Sequence, residues 1–71
     1  MSTDTLKKTI SNNLREARLD KRLTQEHVAE LVGTTVSYCA KLERGKSLPS
    51  ILMLEKLAKA LDVSSCDITE F

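Results

Sequence analysis

The run Leu23-Thr-Gln-Glu-His-Val-Ala-Glu-Leu-Val-Gly-Thr-Thr-Val-Ser-Tyr-Cys-Ala-Lys-Leu-Glu-Arg-Gly45 leaves this chain few ways to fold. It holds two short segments of helical periodicity joined at a single glycine, with a threonine ahead of each. A threonine hydroxyl accepts an orphan N–H of a helix's first turn. Gly33 enters the left-handed conformation that a tight turn between two helices needs.

The rest of the chain agrees with a helical reading. Seventy-one residues make one domain, and 41% hydrophobic content with two glycines and one proline is too apolar for disorder. No alternating Val/Ile/Thr run bounded by turn residues supports a strand. The whole chain, 1–71, is expected to be one all-α domain of five helices, with a flexible N-terminus over residues 1–4.

The first helix is expected over Thr5–Lys21, with Leu6, Ile10, Leu14 and Ala17 as one apolar stripe. Arg18 stands at the end of that stripe, where a charge needs a partner. Thr24 caps the second helix, Leu23 and Val28 are spaced as a hydrophobic staple, and Val28, Ala29, Leu31 and Val32 face inward. Thr35 caps the third helix, which runs from Val36 to Arg44 and stops at Gly45. Cys39 and Leu42 define its buried side, while Ser37 and Arg44 point away with Ala40 and Lys41 close to them. A fourth helix begins near Pro49 and Ser50 on a stripe of Ile51, Leu54, Leu57, Ala58 and Leu61, which Leu52 and Met53 fall off. Ser64 and Asp67 suit the start of a short last helix burying Ile68 and Phe71.

Net charge is only +1, but residues 1–22 carry six Lys or Arg against three acids and residues 51–71 carry two against four. A domain polarised in this way can turn one face to phosphates. Cys39 and Cys66 lie apart from each other and from His27, so no metal-ligand spacing exists and both read as small hydrophobes. No metal or cofactor is expected. His27 has no partner at a useful spacing, and no phosphate loop, carboxylate pair or nucleophile motif occurs, so no enzyme is expected. The N-terminus has no apolar stretch for a signal peptide or membrane span, and a reduced cytoplasmic protein without a membrane partner fits.

Ala29, Gly33, Cys39 and Leu42 have the spacing that lets two helices cross closely around a tight turn. With Leu23-Thr-Gln-Glu26, Leu42-Glu-Arg-Gly45, Pro49-Ser50 and Leu57-Ala-Lys-Ala-Leu61 they form an ordered set. By that set the chain resembles the lambda-repressor-like, Cro or XRE family of helix-turn-helix DNA-binding domains, over roughly residues 10–70, with the motif itself at about 25–44. The resemblance implies a five-helix domain whose third helix lies in the major groove of double-stranded DNA. It implies that Val36, Ser37 and Lys41 read base edges and that Gln25, Thr35, Tyr38, Arg44 and Lys46 meet the DNA backbone. A phosphate contact at Gln25 has independent support, because helix N-termini attract anions. The resemblance also pairs Arg18 with Glu43.

Three features depart from the family pattern. Arg22 stands where Gly or Asn is common, so either the exit of the first helix avoids positive φ or Arg22 accepts strain. The third helix lacks the Gln or Arg of bidentate base contacts. Tyr38 replaces a small residue, and either lies along a phosphate or packs on the fourth helix. Leu52 and Met53 stand where relatives are polar, which suggests a dimer or partner contact, and small domains of this family bind DNA as two-fold dimers.

The implied function is a sequence-specific transcriptional regulator, most simply a repressor, nucleoid-associated when bound to DNA. Restriction–modification controllers, phage repressors and antitoxins share this minimal form. The alternative is a protein-interaction module of the same fold, such as an antitoxin binding a toxin or an adapter to the transcription machinery.

Overall fold

The computed structural model describes residues 3–69, in which five helices and no strand occur. They are α1 (Thr3–Asp20), α2 (Gln25–Val32), α3 (Val36–Glu43), α4 (Ile51–Leu61) and α5 (Ser65–Thr69). The starts of α2, α3 and α4 are set by hydroxyl caps. Thr24, Thr35 and Ser50 accept the N–H groups of His27, Tyr38 and Met53 at 3.0, 3.1 and 3.1 Å. At the start of α5, Ser64 Oγ accepts from the Asp67 N–H at 3.3 Å while Asp67 Oδ2 accepts from the Ser64 N–H at 3.1 Å, a reciprocal capping box.

The first four helices all end in the same way. A residue in the left-handed region turns the chain, and the next N–H reaches back to a carbonyl five residues earlier, as in Leu23 to Arg18, Thr34 to Ala29, Lys46 to Lys41 and Val63 to Ala58. Two of the turning residues are glycines, Gly33 at φ 74 and Gly45 at φ 71. The other two are Arg22 at φ 57 and Asp62 at φ 55, so Arg22 does occupy the strained conformation.

α1 lies against α3 and α5, α2 against α3 and α4, and α4 against α5. Their shared core is Ile10, Leu14, Val28, Ala29, Val32, Cys39, Leu42, Leu57, Ala58, Leu61 and Ile68. Ala29 and the Gly33 turn let α2 and α3 cross closely, and Asn13 Nδ2 ties α1 to α5 by donating to the Ile68 carbonyl at 2.8 Å.

Several side chains sit elsewhere than the periodicity suggests. α1 starts at Thr3, so Thr3 and Asp4 are helical rather than a loose lead-in, and Asp4 is the acidic residue favoured in a first turn. Leu31 is 53% exposed rather than inward, because it lies about 100° around the helix from the mean direction of Val28, Ala29 and Val32. Ile51 is 80% exposed, since the first residue of α4 overhangs the end of the core although its direction fits the stripe. Met53 is half-buried against the core, and Cys66 is exposed. Phe71 lies outside the described residues, as do Met1 and Ser2.

Candidate nucleic-acid interface

The face of α3 turned away from the core begins at its cap. The Thr35 hydroxyl accepts the Tyr38 N–H, which leaves its own O–H free to donate outward. Cys39 and Leu42 anchor the helix at 3% and 2% exposure, and the same periodicity puts Val36, Ser37 and Lys41 on the solvent side. Arg44 and Lys46 follow on either side of Gly45 and are exposed. The Gly45 turn makes this possible by reversing the chain within one residue. Lys41, Arg44 and Lys46 form no ion pair with any described residue. The result is a surface of short and cationic side chains. Tyr38 is half-buried against the core.

A polar network fixes the placement of that surface. Arg18 Nε donates to Glu43 Oε2 at 2.8 Å and Nη2 donates to Oε1 at 3.0 Å, with the side chains 14% and 9% exposed. Arg18 Nη1 also donates to the Leu23 carbonyl at 2.9 Å. Gln25, the half-buried first residue of α2, donates from Nε2 to Glu43 Oε1 at 3.2 Å. An amide NH2 carries two donors, and this bond uses one of them. The Leu23 and Gln25 bonds were not legible from spacing. Arg18 itself was, as a charge on an apolar stripe.

The Cys39 thiol lies behind this network. Burial pushes its pKa above the usual thiol value, and the Glu43 carboxylate adds to the effect, against a smaller lowering by Arg18.

Away from α3, the exposed apolar pair on α4 is Ile51 and Leu52 rather than Leu52 and Met53. Leu52 borders an open groove of about 570 Å³ between α4 and α5, lined also by Glu55, Lys56, Ala58, Lys59 and Val63. No helix among the described residues is long and apolar enough to cross a membrane.

A family model described as helix-turn-helix matches residues 14–68. An uncharacterized HTH-type transcriptional regulator, y4dJ of Sinorhizobium fredii, is 36% identical over 63 residues, which cover 89% of this chain and 82% of that protein. Among solved structures, the restriction-modification controller protein C.AhdI from Aeromonas hydrophila has a TM-score of 0.84 and 37% identity over 87% of this chain and 94% of its own. The clp gene regulator ClgR from Corynebacterium glutamicum has a TM-score of 0.86 and 32% identity over 89% of this chain and 67% of its own.

Proposed function

This chain belongs to the helix-turn-helix family of DNA-binding transcriptional regulators, and from that membership we propose that it is a sequence-specific repressor acting in the cytoplasm. α3 enters the major groove. Val36 meets a thymine methyl, Ser37 bonds to base edges, and Lys41 reaches guanine. Thr35, Tyr38, Arg44, Lys46 and the second donor of Gln25 hold the phosphate backbone. Two copies bind a two-fold site, joined through the α4 surface at Leu52 with its neighbour Ile51, and Met53 backs that contact from the core side. Repression is occlusion of the promoter.

The observation that carries this reading is the cationic edge of α3, unpaired among the described residues and held in place by the Arg18–Glu43–Gln25 network. A protein built to dock another protein through α3 would bring apolar side chains there, and Val36 is the one apolar residue at its exposed start. The second reading, a protein-interaction module such as an antitoxin, draws on the exposed Ile51–Leu52 pair beside the α4–α5 groove. Selection of bound duplexes from a random DNA pool separates the two. Enrichment of one two-fold sequence supports a sequence-specific DNA-binding regulator over an interaction module, and an unenriched pool overturns it.

A further inference from the structure

The loop after α3 is braced on α1. A Cβ placed on Gly45 would stand 3.5 Å from Ser11 Oγ and 3.6 Å from the Lys7 carbonyl oxygen, so the Arg44–Lys46 turn rests on one turn of α1. Lys7, Ser11 and Arg18 fall within about 40° of one another around a helix of 3.6 residues per turn. One edge of α1 therefore follows the end of α3, with Arg18 at Glu43 and with Ser11 and Lys7 at Gly45.

Lys7 is half-buried at this corner, and like Arg44 and Lys46 it forms no ion pair with a described residue. Asp4, one turn before Lys7, is exposed and is not paired with it. Glu43, the acid at the corner, already accepts from Arg18 and Gln25. The backbones of Lys7, Arg44 and Lys46 meet at this corner, and with none of the three paired among the described residues they add positive potential there, which a polyanion laid across it neutralises. We propose that Lys7 completes, with Arg44 and Lys46, a three-cation clamp on the DNA backbone, carrying the contact from α3 onto α1. The clamp rests on the DNA-binding reading above and adds to it a residue and a helix.

The test is the salt dependence of binding of the full chain to a fluorescent mixed-sequence DNA duplex, with thermal melting of each variant as a check on folding. Lys7→Gln lowers the log–log salt slope by about 0.9, so its deficit against the parent shrinks about 3.5-fold between roughly 50 and 200 mM salt. Lys7→Arg keeps the parent slope. If Lys7→Gln keeps the parent slope while Lys46→Gln loses about one unit, the clamp is wrong and the DNA-binding reading stands. If Lys7→Gln, Arg44→Gln and Lys46→Gln all keep it, the DNA-facing assignment of this edge fails and the clamp falls with it.

Discussion

Arg18 and Glu43 meet through two parallel hydrogen bonds, Nε to Oε2 at 2.8 Å and Nη2 to Oε1 at 3.0 Å, across the contact between α1 and α3. Such a fork is geometrically specific in a way that a lysine cannot copy. Because Gln25 and the Leu23 carbonyl join it, the pair fixes the start of α2 and the end of α3 in one frame. Those are the two helix termini that flank the proposed phosphate contacts.

Removing one partner leaves the other charge largely buried without compensation. Glu43→Ala is expected to destabilise the domain by about 3 kcal/mol. That is a large share of a total stability of about 5–15 kcal/mol. Chemical denaturation checks it, and an unchanged midpoint would mean that the pair contributes nothing.

Arg22 turns the chain after α1 in the left-handed region, at φ 57, without the freedom of glycine. Arg22→Gly is expected to raise stability by about 1 kcal/mol, or roughly 4–8 °C in melting temperature for a domain of this size. Arg22→Ala keeps the β-carbon clash and should show no comparable gain. Equal melting of both variants would contradict strain at this residue.

The two helix ends made with glycine were legible in the sequence, the one at Arg22 stood as one of two alternatives, and the one at Asp62 was not legible. Glycine announces a left-handed turn chemically, whereas an arginine or aspartate takes that conformation only because the helices on either side must pack. The same division runs through the apolar residues. Periodicity placed Cys39, Leu42, Leu57 and Ile68 in the core correctly. It misjudged Ile51 and Cys66, because a stripe gives direction around a helix but not whether another helix covers that turn, and Leu31, which lies about 100° off the buried side of α2. At the candidate site, the Thr35 cap and the outward directions of Lys41 and Arg44 were legible from the pattern, whereas their DNA-facing roles and that of Gln25 came from the family resemblance. The hydrogen bond between Gln25 and Glu43 needed the crossing of α2 and α3, which only the folded chain supplies.

The two cysteines differ in environment, Cys39 buried with a raised pKa and Cys66 exposed. The raised value keeps Cys39 protonated to higher pH than an ordinary thiol, and burial blocks access. With a thiol reagent at pH near 8, Cys66 is expected to react promptly and Cys39 only after denaturant is added. Two equally fast thiols in the native protein would contradict the packing of α3.

Leu52 is 62% exposed beside Ile51, a surface suited to a two-fold contact. Leu52→Glu is expected to leave melting of the fold nearly unchanged, convert dimer to monomer in sedimentation, and weaken binding to a two-fold DNA site. A parent that stays monomeric at high concentration, even on DNA, would remove this surface from the account.

If α3 reads bases while the turn after it holds the backbone, DNA selections for the parent, Lys41→Ala and Arg44→Ala will differ in kind. Lys41→Ala is expected to change the preferred base at one position in each half-site, with about 1–3 kcal/mol of discrimination lost there. Arg44→Ala should keep the parent's preferred sequence and weaken binding to all sequences alike. If Lys41→Ala selects the parent's sequence unchanged and weakens every site equally, α3 does not read bases through Lys41, and the account is contradicted.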